Sequence, residues 1–486
     1  MTDQAEILRR RDMRDVFTFT IDPADARDFD DALSFEIISN SGQDEAGQTA
    51  SAAFRIGVHI ADVSHYVRPG TKVDDDAYRR GTSVYLVDRV LPMLPEELCN
   101  DLCSLRPGED KLCMSVIFTF EVPRDATGEL RYTDARVLKY KICRTVIRSD
   151  IRLDYEEAQA LIDHPDRPAH SASGCGFGTA TASRAGGIEE AIGILHALAQ
   201  KFRAERIANG AMTIAQDEMH FRLDGQGYPT EIYFEEHNEA HQLIEEFMLL
   251  ANRTVAKAVG SGRPFVYRVH DLPDMEKLEA VKAFQRKMGS RVSQQTIELL
   301  TIRAQAKAVY STYNIGHYGL AFTHYTHFTS PIRRYPDLMV HRLVEKYILT
   351  GKKETMTREE MEDMCEHCSA CEQDAAQAER DSVKMFQTMW MNSHIGETFS
   401  GYISGVTDFG LFIQLDGNRC EGLLRITDVG EPGEYWQYDE KNYRLVCENR
   451  KTQEGHGPAA YTLGDPVKVK VIRADVNKNQ IDFEWA

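Results

Sequence analysis

Residues 20 to 33 read T-I-D-P-A-D-A-R-D-F-D-D-A-L, and this acidic stretch decides how the first part of the chain folds. The alternating β-branched and aromatic residues of 16–21 predict a strand before it, and A-L-S-F-E-I-I predicts a second strand after it. The loop between the strands carries carboxylates that repel one another unless a cation or water compensates them. They are Asp22, Asp25, Asp28, Asp30 and Asp31. Two interpretations stay open: a solvated acidic turn, and a site for a hard divalent ion such as Mg²⁺.

A basic turn lies in H-F-T-S-P-I-R-R-Y-P-D-L-M-V-H-R, from His327 to Arg342. Ser330 followed by Pro331 predicts a helix start, with the serine as N-cap and the proline at the first helical position. Arg333 and Arg334 then fall in the first turn, where cations oppose the positive end of the helix dipole. An anion held by backbone N–H groups and an arginine fork would explain them, and pairing with nearby acids is the alternative. Together with the acidic loop, the turn predicts the two halves of a phosphodiester site.

Composition limits the kind of protein this is. The chain has 486 residues and a formal net charge of −19, from 57 Lys and Arg against 76 Asp and Glu. This length predicts about three domains, and the acidic balance excludes a protein that coats nucleic acid through bulk electrostatics. No apolar run approaches the ~18 residues that span a bilayer, and the charged start M-T-D-Q-A-E-I-L-R-R-R contains no secretory signal. We therefore expect a soluble cytoplasmic protein whose ten cysteines are free thiols.

Hydrophobic spacing changes along the chain. Strands and turns are predicted up to about residue 147, and the Gly, Ser, Ala and Thr-rich stretch 163–187 is predicted to be a mobile surface excursion. Two long helices should end at Gly210 and Gly260, since glycine frees the left-handed cap position. M-H-F-R-L-D and P-T-E-I-Y-F-E-E predict strands between these helices.

The C-terminal part begins where the period changes from helix to strand at Gly396, after a charged helical segment, which predicts a domain boundary near residue 394. Residues 396–486 resemble a five-stranded OB fold and carry 10 Lys and Arg against 15 Asp and Glu. Its aromatic residues would either stack on single-stranded bases or belong to the barrel core; they are Phe399, Tyr402, Phe409 and Phe412. A local basic patch would supply its modest affinity for RNA, with candidates Arg425, Lys468, Lys470 and Arg473. We expect 430–462 to be an insertion between strands.

Six motifs follow one another along the chain: TIDPADARDFDDALSFE, GVHIADVSHYV, VYLVDRVLPMLPEELCNDLCSLRPGEDKL, LIEEFMLLAN, THFTSPIRRYPDLMVHR and QAERD. They resemble the ribonuclease II and ribonuclease R family of 3′ to 5′ exoribonucleases, with ribonuclease R the nearer match. The resemblance implies an α+β protein. It has a mixed α/β catalytic domain over 1–393, whose last segment 357–393 is helical, and a β-barrel of the OB fold over 394–486. It also leads us to expect that the family's N-terminal cold-shock-type domains are lacking here.

The same resemblance implies catalytic roles in the two constellations. It places four aspartates at a site for one or two Mg²⁺ ions, namely Asp22, Asp28, Asp30 and Asp31. Loss of Asp30 should impair catalysis most. Arg333 resembles the arginine on the scissile phosphate, with Arg334 beside it as a further RNA contact. Glu379, in Q-A-E-R-D, resembles an acid that supports the active site.

Three further residues resemble the family's RNA contacts. Tyr155, in R-L-D-Y-E-E-A, matches a catalytic-site tyrosine near the 3′-terminal nucleotide, and Tyr85, in S-V-Y-L-V-D, matches an aromatic that stacks on terminal bases. Glu245 matches a residue that contacts ribose and selects RNA over DNA. Its alternative is that Glu245 or Glu246 pairs with an arginine to brace a helix. The family usually places a Phe opposite the stacking tyrosine, where this sequence has Ile214, so the clamp is weaker or another residue supplies it.

The motif C-x-H-C-x-x-C, formed by Cys365, His367, Cys368 and Cys371, invites a zinc or iron–sulfur interpretation. On a helix, however, this spacing puts the three thiols in a slanting stripe that does not close one tetrahedron. We therefore favour buried thiols.

The favoured hypothesis from the resemblance is a processive, Mg²⁺-dependent, hydrolytic exoribonuclease. It would degrade single-stranded RNA from the 3′ end to nucleoside 5′-monophosphates, as a monomer in the cytoplasm. The alternative is an RNA-binding protein with a weakly active or inactive nuclease channel. The presence of all four aspartates favours the enzyme. A DNA exonuclease or another metallo-phosphoesterase is disfavoured by Glu245 and the OB fold.

Overall fold

The computed structural model describes residues 4–39, 51–164, 187–212, 217–289, 294–352, 356–449 and 459–486. The strands before the C-terminal barrel are β1 Arg11–Asp12, β2 Thr18–Ile21, β3 Asp31–Ser39, β4 Ala52–Ala61, β5 Val84–Tyr85, β6 Val90–Leu91, β7 Asp110–Val122, β8 Arg136–Arg148, β9 Ile151–Leu153, β10 Glu218–Leu223, β11 Pro229–Glu235, β12 Tyr267–Val269 and β13 Val309–Ser311. The α-helices are α1 Gln4–Ile7, α2 Val63–Tyr66, α3 Lys72–Arg80, α4 Tyr155–Asp163, α5 Ile188–Ala208, α6 Glu239–Gly260, α7 Met275–Met288, α8 Gln294–Arg303, α9 Tyr335–Val344 and α10 Arg358–Asn392.

A seven-stranded sheet positions the acidic loop. Its order is β1-β8-β7-β4-β3-β2-β9, and the loop joins the neighbouring strands β2 and β3, as the sequence predicted. Strand β7 is buried almost throughout because helices pack on the sheet, with the rings of Phe120 and Phe202 of α5 at 5.9 Å. His59 of β4 is buried between the hydroxyls of Ser34 and Ser115, at 2.8 and 2.7 Å from its ring nitrogens. Hydrophobic burial therefore fixes the sheet, and the sheet fixes the loop.

Both long helices predicted between residues 188 and 260 are present. α5 ends at Ala208, and Gly210 follows with φ 96°, as its predicted cap role requires. α6 instead runs through Gly260 and has Ser261 as its C-cap, so the prediction of a left-handed cap at Gly260 is wrong. Glycine is needed there for space, because a Cβ would lie 2.3 Å from the hydroxyl oxygen of Tyr267.

The basic turn starts its helix later than predicted. Residues 331–333 form a turn, and α9 begins only at Tyr335. The predicted helix start at Ser330 is wrong, because Pro336 has no N–H to continue a helix that began there. Arg334 is extended, with φ −134°, and is the N-cap of α9, while Pro336 takes its favoured place in the first turn.

The C-terminal part is a closed five-stranded barrel of order β14-β15-β16-β21-β20. Its strands are β14 Thr398–Thr407, β15 Gly410–Leu415, β16 Glu421–Arg425, β20 Pro466–Asp475 and β21 Gln480–Trp485. A small sheet lies between β16 and β20 in the chain, formed by β17 Trp436–Asp439, β18 Arg444–Cys447 and β19 Ala460–Thr462. The predicted fold class, mixed α/β followed by a five-stranded barrel, is confirmed. α10 ends at Asn392 and the barrel begins at Thr398; the exact domain limits stay a prediction.

Several remaining predictions concern side chains and segments outside the core. Nine cysteines fall within the described residues, and all nine are free thiols. Cys365 and Cys368 are buried on α10, as expected, whereas Cys371 is only half-buried. His367 Nε2 lies 2.8 Å from the Tyr78 carbonyl oxygen and 3.4 Å from Cys371 Sγ. The predicted excursion at 163–187 lies almost wholly outside the described residues. Within the described part of the chain, no helix is long and apolar enough to cross a membrane.

Candidate active site

The acidic loop is shaped by residues far from it in the sequence. Arg152 of β9 donates from Nη2 to the carbonyls of Pro23 and Ala24, at 2.7 and 2.8 Å, and its guanidinium lies 5.0 Å from the Phe29 ring centroid. The Ser104 hydroxyl accepts the Phe29 N–H at 3.1 Å. These bonds hold both ends of the loop, so its carboxylates stay together. The sequence prediction missed Arg152 and Ser104, because nothing in their local pattern marks them.

The acidic loop and the basic turn meet directly at Asp30. Its Oδ1 accepts the backbone N–H of Ile332 at 2.9 Å, across 302 positions of sequence. Its Oδ2 lies 3.6 Å from Nε of Arg333, whose Nη2 donates to the hydroxyl of Ser330 at 3.1 Å. The two constellations therefore form one site, in which a buried carboxylate faces a partly exposed guanidinium.

Burial makes this cluster electrostatically unfavourable without a cation. Desolvation raises the pKa of four carboxyls in the loop, and the neighbouring carboxylates raise it further at Asp22, Asp30 and Asp31. The four are Asp22, Asp28, Asp30 and Asp31. The charge of Arg333 opposes the shift at the last three of them. Arg152 also opposes the shift at Asp22, and Arg334 opposes it at Asp31. The pKa of all four carboxyls nevertheless stays raised, so a further positive charge would stabilise the ionised form.

The carboxylates fit a hard divalent ion that completes its shell from outside the protein. Among the described residues, no three His, Cys, Asp or Glu side chains form a ready-made metal cage. Mg²⁺ does not need one, because it commonly binds one or two carboxylates together with waters and substrate phosphate oxygens. Asp22 Oδ2 is buried and accepts no hydrogen bond of ordinary geometry among the described residues, although the nearby Thr20 hydroxyl lowers the pKa of this carboxyl. An oxygen-only donor set with an unsatisfied carboxylate oxygen therefore fits such an ion.

The two neighbouring arginines of the turn point to different environments. Arg333 exposes 42% of its side chain beside the acidic cluster. Arg334 exposes 18% and turns inward, where its Nη2 donates at 2.8 Å to Asp337 Oδ1, which also accepts the Ser330 N–H at 2.8 Å. Asp337 is fully buried. The structure thus brings Arg333 to the loop and pairs Arg334 with an acid behind the turn.

Tyr85 and Glu379 border the same cluster. The Glu379 carboxylate on α10 accepts the backbone N–H of Tyr85 at 2.9 Å. Burial raises the pKa of the Tyr85 hydroxyl, with Arg333 opposing the shift and Asp30 contributing to it, which places the phenol among these charges. Tyr85 as a whole is nevertheless 40% exposed. A long helix therefore fixes the backbone that presents an accessible aromatic ring.

Tyr155 approaches the cluster from α4. Asp154 and Glu157 close a capping box at the start of this helix, so the position of Tyr155 as its first residue is well determined. Burial and the nearby charges of Asp31 and Asp22 raise the pKa of the Tyr155 hydroxyl, which keeps the phenol protonated. Its ring stacks on His241 with centroids 3.6 Å apart. The sequence prediction identified Tyr155 but missed His241.

Glu245 is held by an arginine. Arg206 of α5 donates from Nη2 to Glu246 at 2.5 Å and to Glu245 at 3.2 Å, and only Glu245 is appreciably exposed, at 39% of its side chain. Both interpretations offered for this position therefore have a geometric basis, since the pair braces two helices and leaves one carboxylate facing solvent. Ile214, the predicted departure from the family's clamp, lies outside the described residues.

The barrel residues form a separate surface. Phe409 is 52% exposed and contacts the half-buried Phe412 edge to face, with ring centroids 5.8 Å apart. Phe399 is half-buried and packs against the barrel core. Three of the four expected basic residues already have acidic partners, as the pairs Arg425–Asp482, Lys470–Glu484 and Arg473–Asp475. A basic patch on the barrel is therefore largely neutralised.

The chain is similar to known proteins along almost its whole length. The chain matches the RNB domain over residues 10–350 and the S1 RNA binding domain over 393–485. It is 37% identical to Ribonuclease R of Aquifex aeolicus, over 99% of this chain and 65% of that protein. It is 33% identical to Ribonuclease R 2 of Lactococcus lactis, over 100% of this chain and 70% of that protein.

A solved structure is similar along the same length. Mycoplasma genitalium RNase R, in complex with ribose methylated single-stranded RNA, superposes with a TM-score of 0.82 and 25% identity, over 100% of this chain and 73% of that one. The present chain spans less than two thirds of the Aquifex relative's length.

Proposed function

Because this chain belongs to the ribonuclease R family of RNB-domain proteins, we propose that it is a processive exoribonuclease acting 3′ to 5′ on single-stranded RNA. It would hydrolyse phosphodiester bonds and release nucleoside 5′-monophosphates. The observation that carries the proposal is the contact of Asp30 with the Ile332 N–H and with Arg333. That contact joins a carboxylate cluster suited to a cation with a guanidinium suited to a phosphate.

The chain's own residues would hold the scissile phosphate and the 3′ end. A divalent ion bound by the loop aspartates, for which we propose Mg²⁺, would supply Lewis-acid charge to the phosphodiester. Arg333 would hold phosphate oxygens with its exposed guanidinium edge and stabilise the charge that grows on them during hydrolysis. Asp30 would keep that guanidinium oriented. Glu379 would act indirectly, by fixing the backbone of Tyr85.

The remaining contacts would select and seat the nucleotide. The protonated hydroxyl of Tyr155 would donate a hydrogen bond near the 3′-terminal nucleotide. The Tyr85 ring offers a π-face that accepts any base, an interaction worth ~1–3 kcal/mol per base. Glu245 would accept the ribose 2′-hydroxyl, which is the group that distinguishes RNA from DNA. Arg334 would act mainly by fixing the turn, through its bond to Asp337.

The test uses 5′-labelled single-stranded RNA and DNA of equal length, incubated with the protein in Mg²⁺ or in chelator. We expect RNA to be shortened from its 3′ end to a short labelled remnant, with nucleoside 5′-monophosphates as the released product. DNA, and RNA in chelator, should stay intact. Binding of the labelled RNA without any shortening in Mg²⁺ would support the alternative of an RNA-binding protein with an inactive channel.

Four finer properties belong to the same proposal. We propose Mg²⁺ over Ca²⁺ because the described side chains form no cage of three or more ligands at the cluster, and Mg²⁺ keeps several of its waters. We propose a cytoplasmic location, since the nine described cysteines are free thiols, as expected in a reducing compartment. We propose a monomer, which light scattering at assay concentration would test. The barrel aromatics Phe399, Phe409 and Phe412 would contribute contacts to RNA outside the active site.

A further inference from the structure

Two helix N-termini meet beside the acidic cluster. Tyr155 is the first residue of α4, and His241 lies in the first turn of α6. A side chain ties the two starts together, because Gln159 of α4 accepts the backbone N–H of Ala240 at 3.1 Å. The relative placement of Tyr155 and His241 is therefore set by the backbones of both helices.

His241 covers one face of the Tyr155 ring. The two rings are nearly parallel, with an interplanar angle of 12° and centroids 3.6 Å apart, which is a close stacking contact. Such a contact leaves no room for a base or water on that face of the phenol. Tyr155 therefore offers the site only its other face, its edge and its hydroxyl.

The imidazole is itself held in one orientation. Asn238, the N-cap of α6, accepts the His241 backbone N–H at 3.2 Å, and the same oxygen lies 2.8 Å from His241 Nδ1. Because that oxygen is an acceptor, the proton of the neutral ring belongs on Nδ1. Burial, with a smaller effect of His237, lowers the pKa of His241 to about 4, so the ring stays neutral in neutral solution. A neutral, oriented ring makes a rigid backing for the phenol.

The same face of α6 continues along the site. His241 and Glu245 are four positions apart, so they lie on neighbouring turns of one helix face. Seven positions further, Asn252 accepts the Phe328 N–H at 2.9 Å, close to Ser330 of the basic turn. One helix thus links the Tyr155 ring, the proposed ribose contact and the turn that carries Arg333.

We propose that His241 is a positioning residue for Tyr155: its ring, fixed by Asn238, backs the phenol and holds the Tyr155 hydroxyl at the aspartate cluster beside the 3′-terminal nucleotide. This inference rests on the proposed function, because it assigns His241 a part in that reaction. His241 itself touches neither substrate nor the reacting atoms.

The experiment compares His241→Ala, His241→Phe and Tyr155→Ala by kcat and KM on short single-stranded RNA. His241→Ala should lower kcat at least tenfold, since a displacement of about 1 Å at a reacting centre costs ~10²-fold. His241→Phe keeps a flat ring and should stay within about threefold of the unmodified chain. If His241 acts through Tyr155, adding His241→Ala to Tyr155→Ala should cause no further loss. Thermal melting checks that each variant is folded.

A matched control is available in a second His–Tyr pair. His220 stacks on Tyr233 on the β10–β11 hairpin, with centroids 5.5 Å apart and an interplanar angle of 23°. His220→Ala removes a similar pair and should leave kcat and KM unchanged. Full activity of His241→Ala, equal loss in the folded His241→Phe, or an undiminished effect in the Tyr155→Ala background would each overturn the proposal.

A readout that needs no turnover separates this proposal from the proposed function. RNA with 2-aminopurine at its 3′ end is bound to the Asp30→Asn chain, and its fluorescence is compared with and without each His241 substitution. We expect a changed signal with His241→Ala and a restored one with His241→Phe. An identical signal in all three would refute the positioning role. Failure of the unmodified chain to shorten RNA would instead refute the proposed function.

Discussion

Arg333→Lys keeps the charge at the proposed phosphate contact and removes the guanidinium fork. In the structure, that fork faces Asp30 at 3.6 Å through Nε and donates to Ser330 at 3.1 Å through Nη2, while 42% of the side chain is exposed. A lysine ammonium is a point charge that does not make these contacts and hold two phosphate oxygens together. The substitution therefore tests geometry rather than charge.

The expected loss follows from what the fork does in the transition state. Removing one preorganised donor to a developing anion typically costs ~10²–10³ in kcat, or about 2.7–4 kcal/mol. Lysine retains the charge, so we expect a loss near the lower limit, about 10²-fold. Stability should change little, because lysine keeps a positive charge beside the buried Asp30 carboxylate, and the Arg333 end of the pair is already 42% exposed at a separation of 3.6 Å.

Arg334→Lys is the matched control at the next position. Its guanidinium is paired with Asp337, which is fully buried. Removing one partner of a buried pair costs ~3–5 kcal/mol, and a lysine that keeps the charge should cost a part of that. We therefore expect Tm to fall by several degrees and kcat of the folded enzyme to fall much less than in Arg333→Lys.

The assay measures kcat and KM on single-stranded RNA at 25 °C, together with Tm, for both variants. We expect opposite effects: the substitution at 333 should lower turnover, and the substitution at 334 should lower stability. An Arg333→Lys enzyme as active as the unmodified chain would show that no bidentate phosphate contact exists there. Equal losses of kcat at the two positions would show that the whole turn is needed for catalysis. The different side-chain exposures of Arg333 and Arg334 would then not predict their roles.

Four further outcomes are expected. Asp30→Asn should abolish hydrolysis while RNA binding stays near normal or tightens, because one negative charge is removed without a change of shape; turnover above a few per cent of normal would contradict the assignment of the loop. Glu245→Ala should relax discrimination against DNA, since a carboxylate is a natural acceptor for the 2′-hydroxyl; an unaltered ratio of RNA to DNA cleavage would leave Glu245 a purely structural role. Asp62→Asn tests pH dependence: burial raises the pKa of Asp62, but its ion pairs with two arginines outweigh this and lower it to about 2, from 3.8. The ionised carboxylate thus stabilises the fold above about pH 4 and loses this effect as the pH falls towards 2. The variant should therefore have a lower Tm at pH 7, and its Tm should change less between about pH 4 and pH 2. An unchanged Tm profile would contradict a stabilising role of these ion pairs. Deleting 394–486 should weaken RNA binding without moving the cleavage position. For the intact Asp30→Asn chain, the logarithm of the binding constant should fall by ~0.7 for each tenfold rise in salt and each phosphate contacted, and few phosphates should be contacted; a steep slope would contradict this by revealing an extended basic surface.

Local patterns in the sequence predicted individual elements, and the resemblance to a known family predicted the fold class and the barrel. Strand alternation around the acidic loop predicted β2 and β3, and the change of period near Gly396 predicted a domain boundary followed by short strands. The order of the seven-stranded sheet was not predicted, because it depends on pairing between distant segments. The two errors have different causes. The role of Gly260 depends on the ring of Tyr267 packing against it, which no local pattern reveals. The late start of α9 had a local signal in Pro336, which outweighed the stronger-looking Ser-Pro pair.

The candidate site was predictable in its residue types and not in its supporting contacts. Clustered aspartates and paired arginines carry a chemical signal in themselves. Arg152, Arg206 and His241 carry none, because each acts through groups that are distant in the sequence and that only the folded chain brings together. Their functional meaning lies in geometry: carbonyls held at 2.7 and 2.8 Å, a carboxylate at 3.2 Å and a ring at 3.6 Å.

The barrel shows how an acidic chain limits its own affinity for RNA. A phosphate that approaches Arg425, Lys470 or Arg473 has to compete with the carboxylate already paired with that cation. The released carboxylate would then repel the RNA, so little net attraction is gained at such positions. Base stacking has no such competitor, because the Phe409 ring is half exposed and its neighbour Phe412 meets it edge to face. Affinity in the barrel should therefore depend on aromatic contacts, which salt screens little, and less on these paired cations than on a cation beside the RNA channel such as Arg333.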